Sequence, residues 1–297
     1  MLRKKSFFLL LSLFLILYLT LTTFEYFKIK SKNFKIVKHE KPLITSCKNR
    51  LIRNNTRALV TQVHDDKNYA FGAIKLIQSA VKYSTYKFDK IILEMIEKPI
   101  EKDLKIMLIE SGWAICEMNR IPPRDEAGTF PRFRDTFSRL LLWNMTEYEQ
   151  IIFMDTDVLV VGNIDYLMSL STQMKEKNAK FAATRDISAG VVYETFNAGV
   201  HVLLPDKNMY DKLLFQKDDP NFYFKTTMAD QGFLNEALKK DWFDFGFIYN
   251  ANLAYYTQKR DYWDKNSKNI RVIHYTMEKP WACTDSYKEP CDIWRSF

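Results

Sequence analysis

Two aspartates, Asp155 and Asp157, lie in the stretch EQIIFMDTDVLVVGN, with four apolar residues before them and four after them. In an extended segment, residues two apart point the same way, about 7 Å apart at Cα, so both carboxylates share a face while Thr156 points away. Two convergent carboxylates suit a hard divalent cation. The alternative is a polar turn between two strands, in which an aspartate accepts local backbone N–H bonds, and an isolated pair leaves both interpretations open.

The strand that leads to these acids belongs to a pattern of alternating strands and helices. The runs RALVTQV, KIILEMI and WAICEM are typical of strands, and AFGAIKLIQSAVKYS repeats apolar residues at helical spacing. RDTFSRLLLWNMTEY predicts a helix that leads into the buried strand IIFM. This order predicts an α/β fold with a largely parallel sheet, and open sheets of that kind bind ligands at the carboxyl ends of central strands.

Glycine usage limits how a phosphate could be bound. The chain has only eight glycines and contains neither a G-x-G-x-x-G motif nor a P-loop. A diphosphate cradled by backbone amides is therefore not expected. A metal ion that bridges carboxylates to phosphates is the other solution.

Three further motifs place polar residues at the edge of an apolar run: ETFNAGVHVLLPD, MADQGFLNEAL and RVIHYTMEKPW. With them, from RALVTQVHDDKNYAFGA to HYTMEKPW, the chain resembles the glycogenin-like family 8 glycosyltransferases. The resemblance implies a single α/β GT-A domain, which is Rossmann-like with a mostly parallel central sheet. It also implies an enzyme that transfers a sugar, with retention, from a UDP-sugar to a glycan or protein acceptor.

The resemblance assigns a metal site. In the family, a D-x-D pair and a later histidine hold manganese on the diphosphate, which implies that Asp155, Asp157 and His274 are the ligands here. Imidazole as the third ligand also favours Mn²⁺ over Mg²⁺. Lys279 in EKPW occupies the place of the lysine that neutralises phosphate charge as UDP departs. The spacing departs from that of glycogenin, which has one more residue and a glycine between the histidine and the lysine.

The family motifs also indicate which residues line the transferred sugar. Asn197 in FNAG, with Asp230 and Gln231 in ADQGF, match the residues that do so. Asp230, Gln231 and Lys279 are therefore the expected catalytic residues. Asp230 could instead be a helix cap, because DQGFLNEAL begins a helix. Whether Asp230 attacks covalently or the acceptor hydroxyl enters on the leaving-group face is left open by the sequence.

Four more residues are candidates for donor binding. Arg139 in FSRLL and Asp186 after FAATR are two of them, with a structural salt bridge as the alternative. Thr61 and Tyr69 lie in the first strand-end loop, where the family holds the uracil. Tyr69 would stack on the base.

The N-terminal segment predicts a membrane anchor. Nineteen uncharged residues, 6–24, are dominated by Leu and Phe, and as a helix of about 1.5 Å per residue they reach across a hydrocarbon core of roughly 30 Å. A cleaved signal peptide is the alternative, although the run is long for an apolar region of about 7–15 residues. The predicted organisation is a cytosolic tail at 1–5, a transmembrane signal-anchor at 6–24, a stem at 25–55 and a GT-A domain at 56–297.

Sequons and cysteines favour a lumenal domain. Asn54 and Asn144 begin N-x-T sequons, and Cys283 and Cys291 are spaced to close a short loop, which an oxidising compartment would allow. Cys116, inside the apolar WAICEM, is interpreted as a buried core residue. Together with the apolar run, these features predict a single-pass type II protein of the Golgi or ER membrane.

The net charge and the motifs limit which partners are expected. The net charge is +8, but residues 1–41 hold nine Lys/Arg against two Glu, so the remainder carries only +1 and gives no reason to expect a nucleic acid. The expected partners are a UDP-sugar, a glycan or glycoprotein acceptor and the membrane, with a homodimer left open. A haloacid-dehalogenase-type phosphatase and a non-catalytic lumenal binding relative are the alternative functions. The former does not predict FNAG or HYTMEKPW.

Overall fold

The structure is a computed structural model that describes residues 55–63 and 66–297, together with the backbone of residues 44–48. The strands in this part of the chain are β1 (Ile44–Lys48), β2 (Arg57–Gln62), β3 (Asp89–Met95), β4 (Ala114–Met118), β5 (Gln150–Met154), β6 (Val158–Val160), β7 (Phe181–Ser188), β8 (Val191–Leu203), β9 (Trp242–Asp244), β10 (Ala251–Asn252) and β11 (Val272–His274). The α-helices are α1 (Lys67–Lys82), α2 (Lys102–Glu110), α3 (Asp165–Met168), α4 (Leu170–Glu176), α5 (Lys207–Asp218), α6 (Ala229–Ala237), α7 (Leu253–Gln258), α8 (Arg260–Asn266) and α9 (Lys288–Ser296).

The central sheet confirms the predicted α/β fold. Its strand order is β1–β4–β3–β2–β5–β8–β7–β9. The consecutive neighbours β4, β3, β2 and β5 are parallel, whereas β8 runs antiparallel to β5. Because Met154 pairs with Val200, the chain just before Val200 reaches the end of β5, and Asp155 N donates to Gly199 O at 2.8 Å. The antiparallel strand therefore brings the FNAG segment beside the first aspartate.

A second, smaller sheet brings the histidine to the same place. Its order is β10–β11–β6, and β6 begins directly after the aspartates. The antiparallel register of β11 on β6 sets His274 opposite Val158. Tyr275 N also donates to Asp157 O at 3.0 Å. Three segments far apart in sequence thus converge at the carboxyl end of β5.

Strand β5 is buried on both of its faces. Ile151 and Phe153 pack into one hydrophobic cluster and Ile152 and Met154 into another, and none of the four is exposed to solvent. A strand that is covered on both faces has apolar residues at successive positions, which explains the continuous apolar sequence IIFM. The rigid core on both sides fixes where the chain emerges at the acids.

Two elements differ from the prediction. Thr136–Asn144, predicted as a helix, forms 3-10 turns, and seven of its nine residues are buried. Packing against the core determines that segment more than its helical spacing does. The sheet also begins before the predicted domain boundary at residue 56, because β1 adds to the edge strand β4 in antiparallel fashion. Without β1, strand β4 would be an edge strand with unpaired backbone N–H and C=O groups, and the segment ITSCK pairs with them.

A further correction concerns localisation, which we predicted as the Golgi or ER membrane for a single-pass type II protein. Among the residues that the structure describes, no helix is both long and apolar enough to cross a bilayer, which contradicts that prediction. The expected anchor at residues 6–24 and the sequon at Asn54 lie outside the described residues.

The predicted pairing of Cys283 with Cys291 is confirmed. The two form a disulfide with their Cα atoms 6.1 Å apart, and this bond joins the segment after the KPW motif to α9. Cys116 is buried in the core as predicted. It is also disulfide-bonded, which its apolar surroundings did not indicate.

Candidate metal and donor site

The three predicted metal ligands lie together. One ligand atom from each of Asp155, Asp157 and His274 lies within 4.8 Å of the others. His274 Nε2 is 3.8 Å from Asp155 Oδ2 and 3.5 Å from Asp157 Oδ1. The aspartates do occupy a turn, centred on Thr156, between β5 and β6. The two interpretations are therefore compatible, because this turn brings both carboxylates close to the same imidazole.

Each aspartate divides its two oxygens between a basic side chain and the imidazole. Arg139 Nη2 donates to Asp155 Oδ1 at 2.7 Å, and Lys279 Nζ donates to Asp157 Oδ2. The other oxygen of each carboxylate is the one that faces His274. Two carboxylate oxygens and one imidazole nitrogen form a donor set that suits Mn²⁺. The residues present therefore fit a divalent cation.

Gly199 supports this fit by allowing strand β8 close to the ligands. A Cβ atom at this position would lie 2.0 Å from His274 Cε1 and 2.9 Å from Asp155 Oδ2. Real Cβ atoms do not approach so closely, and both neighbours are held by their own contacts. Any larger residue would push two ligands out of place, so the glycine of FNAG has a steric role.

Burial and neighbouring charge act in opposite directions on the two carboxyl groups. Burial raises the pKa of Asp155, and the opposing charge of Arg139 does not outweigh it. Burial acts in the same sense on Asp157, but its interactions with His274 and Lys279 prevail and hold the pKa of Asp157 below its ordinary value. The same contact with Asp157 outweighs burial at Lys279 and raises the pKa of its ammonium group. Asp157 and Lys279 therefore stay charged.

Asp230 lies beside the cluster at the start of α6, with an oxygen that lacks a hydrogen bond. Its side chain is 5% exposed, and Oδ2 lies 3.5 Å from Arg139 Nη1, within ion-pair range. Among the described residues, that oxygen has no hydrogen-bond partner. Buried carboxylate oxygens normally accept hydrogen bonds, and Asp230 lines the cleft of this site. A sugar hydroxyl would satisfy it.

The amide side chains near the cluster are held in fixed orientations. Gln231 Nε2 donates to Asp186 Oδ2 at 2.9 Å, while its Oε1 accepts from Ala198 N at 3.0 Å. Asn197 Oδ1 accepts from Gly199 N at 3.1 Å. Burial raises the pKa of Asp186, and hydrogen bonds from Ile187 N, Gln231 and Asn197 only partly offset that effect. This network fixes the FNAG segment against α6.

A cleft of about 360 Å³ contains these groups. The predicted site residues that line it are Tyr69, Arg139, Asp155, Asp157, Asp186, Asn197, Asp230, Gln231, His274 and Lys279. Thr61 does not line the cleft and is fully buried, whereas the next residue, Gln62, does line it. Successive side chains of a strand point to opposite faces, which explains why one of the pair reaches the cleft and the other does not.

Asn250 and Arg132 are among the site residues that were not predicted. Asn250 is fully buried and its Oδ1 lies 3.0 Å from His274 Nδ1. Arg132 lines the cleft over the ring of Phe133, with its guanidinium carbon 4.5 Å from the ring centroid. The segments FIYN and FPRFR gave no indication of these residues, because neither contains a residue spacing that is typical of a catalytic or binding motif. Tyr69, which was predicted, contacts Trp281 edge to face with ring centroids 5.0 Å apart.

Comparison with known families decides the classification. The model for glycosyl transferase family 8 matches residues 63–285. The chain belongs to glycosyl transferase family 8. That membership confirms the resemblance and argues against the haloacid-dehalogenase alternative, whose motif would occur in a different fold context.

Family 8 relatives include plant and animal proteins. The chain is 29% identical over 245 residues to UDP-glucuronate:xylan alpha-glucuronosyltransferase 1 of Arabidopsis thaliana, covering 77% of this chain and 33% of that protein. It is 28% identical over 241 residues to Glycogenin-1 of Caenorhabditis elegans, covering 76% of this chain and 51% of that protein. The chain spans 42% or less of the length of the first three Arabidopsis relatives.

Solved structures agree on the fold. The galactosyltransferase LgtC, in complex with donor and acceptor sugar analogues, matches with a TM-score of 0.56 at 20% identity, over 80% of this chain and 94% of that chain. At this identity, the likeness shows the GT-A-like fold alone.

Proposed function

We propose that this chain is a metal-dependent, retaining glycosyltransferase that moves a sugar from a UDP-sugar to a glycan or protein acceptor. The observation that carries the proposal is the convergence of Asp155, Asp157 and His274 in a cleft that also holds Lys279. Family 8 membership supports the same reaction class. The proposed catalytic domain comprises residues 56–297, with β1 adding to its sheet.

The proposed metal ligands are Asp155, Asp157 and His274, and the proposed ion is Mn²⁺. When bound, Mn²⁺ would supply positive charge against the diphosphate that leaves with the nucleotide. Lys279 is positioned to add a second positive charge there, because its ammonium group already lies against Asp157 at the mouth of the cluster. The carboxylates bind the ion, and the lysine binds the phosphate side.

The proposed sugar subsite comprises Asn197, Asp230 and Gln231, with Asp186 and Arg139 behind them. Arg139 binds Asp155 and Asp230 at once, so it holds the metal side and the sugar side of the cleft in a fixed relationship. Asp230 Oδ2 is the acceptor for a sugar hydroxyl because it is buried without a hydrogen bond of its own. Preorganised polar groups of this kind contribute to catalysis without reorganising during the reaction.

For the base, we propose Tyr69 as the stacking residue. It lies in α1, lines the cleft and is braced by Trp281 of the KPW motif. Burial raises the pKa of the Tyr69 phenol, so the ring stays neutral. Thr61 carries no role in this proposal, because its side chain is fully buried away from the cleft.

Glucuronic acid is the sugar we propose to test first among glucose, glucuronic acid, N-acetylglucosamine, galactose and xylose. Three basic side chains line the cleft: Arg132, Arg139 and Lys279. Within the described residues, Arg132 makes no ion pair with a carboxylate, while the other two do. An unpaired guanidinium in a donor cleft suits a uronate carboxylate. The glucuronosyltransferase relatives support the choice.

The experiment is UDP release by the full chain from a panel of the five UDP-sugars, with Mn²⁺ or with EDTA. We expect Mn²⁺-dependent release, fastest with UDP-glucuronate. Release that EDTA does not abolish would contradict the metal role. No release from any of the five in Mn²⁺, by a chain that still binds UDP, would favour the binding-only alternative.

A further inference from the structure

His274 is held from behind by a chain of buried amides. Its Nδ1 lies 3.0 Å from Asn250 Oδ1, and Asn250 Nδ2 lies 3.1 Å from Asn197 Oδ1. Asn197 Oδ1 also accepts from the backbone N–H of Gly199 at 3.1 Å. This series of hydrogen bonds therefore extends from the imidazole to the backbone N–H of Gly199.

The direction of each hydrogen bond in this series of amides follows from its last member, the backbone N–H of Gly199. The N–H of Gly199 can only donate, so the atom of Asn197 that faces it must be the amide oxygen. That oxygen also faces Asn250, which must therefore present its NH₂ group, since two facing oxygens would repel each other. Asn250 then turns its own oxygen toward the imidazole. The amide group of Asn197, turned the other way, donates to Asp186.

An oxygen at Nδ1 leaves one protonation form for a neutral imidazole. Nδ1 must carry the hydrogen in order to donate to Asn250 Oδ1, so Nε2 carries the lone pair. Nε2 is the nitrogen that lies 3.5 Å from Asp157 Oδ1 and 3.8 Å from Asp155 Oδ2. Free histidine in water favours the opposite form, in which Nε2 bears the hydrogen and cannot bind a metal. The protein environment thus reverses the intrinsic preference.

We propose that Asn250 is a positioning residue which, through Asn197 and the Gly199 N–H, fixes His274 in the Nδ1–H tautomer and so directs the Nε2 lone pair into the metal cluster. Outer partners of ligating histidines fix the ring and its tautomer in other metal sites. The same amides join the metal ligand to Asn197, the proposed sugar residue. The inference rests on the proposed function only for the identity of the metal.

The first test needs no variant. The full chain, labelled with ¹⁵N-histidine and free of metal, is examined by NMR at pH about 8. His274 is assigned from the signal that disappears in His274→Gln. We expect Nδ1 to carry a hydrogen that bonds to Asn250. A wild-type ring with a hydrogen on Nε2 and none on Nδ1 would overturn the proposal.

The variants test the role of Asn250. Asn250→Ala removes the acceptor, whereas Asn250→Asp retains an acceptor for Nδ1–H but cannot donate to Asn197. Thr184→Val is the matched control, because it loses a buried hydrogen bond of 2.9 Å to Gly246 O in the neighbouring segment without touching His274. We expect Asn250→Ala to show a mixed or reversed tautomer, and Asn250→Asp and Thr184→Val to keep that of the wild type.

Binding of Mn²⁺ alone, measured by EPR on the same proteins, completes the test. We expect Asn250→Ala to bind Mn²⁺ roughly 10- to 100-fold more weakly than wild type, with Thr184→Val unchanged. Wild-type tautomer and wild-type affinity in Asn250→Ala would refute the role of Asn250. If the wild-type chain bound no Mn²⁺ at all, the proposed function would fail, and the tautomer result would still decide the positioning claim.

Discussion

Lys279 donates a hydrogen bond from Nζ to Asp157 Oδ2, across 122 positions of sequence. The lysine comes from the loop after β11, and the aspartate from the turn between β5 and β6. Burial alone would lower the pKa of Lys279, but Asp157 raises it. A protonated lysine bonded to a metal ligand can carry its charge to a phosphate by turning its own side chain. The proposed metal-binding role of Asp157 and the proposed phosphate-binding role of Lys279 therefore belong to neighbouring side chains.

That relationship predicts a separation of roles in the variant Lys279→Met. Transfer should fall by about 10²–10³-fold, the effect of losing one preorganised charge-stabilising donor. Mn²⁺ should still stimulate the remaining activity, because the three ligands are intact. The control is Lys288→Met, which removes a lysine whose ion pair with Asp292 is exposed. Loss of Mn²⁺ stimulation in Lys279→Met would show that the lysine acts through the metal ligands instead.

Arg132→Ala should change sugar selectivity. If its guanidinium binds the uronate carboxylate, kcat/KM for UDP-glucuronate should fall by roughly 10- to 100-fold, while that for UDP-glucose should change little. Arg134→Ala provides the matched control, since that side chain bonds to Thr129 O and does not line the cleft. Equal losses with both donors would assign Arg132 to general binding.

His201 predicts a pH dependence of stability. The ring stacks on Phe153 with centroids 5.0 Å apart, and burial lowers the pKa of His201 to about 3. The unfolded chain, with a pKa near 6.5, binds the proton first, so this contribution is present above pH 6.5 and is lost as pH falls toward 3. From pH 7 to pH 5 we expect a loss of about 2 kcal/mol in the free energy of unfolding.

The check is urea denaturation of wild type and His201→Phe at both pH values. His201→Phe should lose less stability between pH 7 and pH 5 by about that 2 kcal/mol. Identical pH dependence in the two proteins would mean that folding does not lower the pKa of His201.

The disulfide should matter more to stability than to chemistry. Breaking it with the double change Cys283→Ser and Cys291→Ser opens a loop with a sequence separation of 8. The chain-entropy model assigns such a loop about 2–3 kcal/mol. We expect thermal denaturation to show that loss, while the KM for the donor stays near wild type. A normal melting temperature with a large rise in KM would mean that the bond acts chiefly by holding Lys279.

Sequence reasoning found the residues whose type and order are distinctive. Asp155 and Asp157 were identified from their spacing after a buried strand and His274 from the resemblance to the family, and the three side chains do converge. Asn250 was missed because one amide in FIYN carries no local signal. Its role depends on the pairing of β10 with β11, which sets Asn252 beside His274 and brings Asn250, the residue just before β10, behind the ring.

Two other differences have local physical causes. Thr61 and Gln62 are adjacent, and only the alternation of side chains along β2 determines which one reaches the cleft. The segment Thr136–Asn144 has helical spacing, but packing of its buried residues against the core favours tighter 3-10 turns. The spacing of apolar residues is therefore a more reliable guide to which face of a segment is buried than to whether the segment forms an α-helix or 3-10 turns.

The central claim is that Asp155, Asp157 and His274 hold one divalent cation against the diphosphate of the donor. EPR of Mn²⁺ with the full chain and UDP measures this directly, since coupling to ³¹P reports phosphate at the metal. We predict one Mn²⁺ per chain with ³¹P coupling, and binding weakened by orders of magnitude in Asp157→Asn, which keeps the side-chain size but removes a charge. Unchanged Mn²⁺ binding and ³¹P coupling in Asp157→Asn would contradict the account.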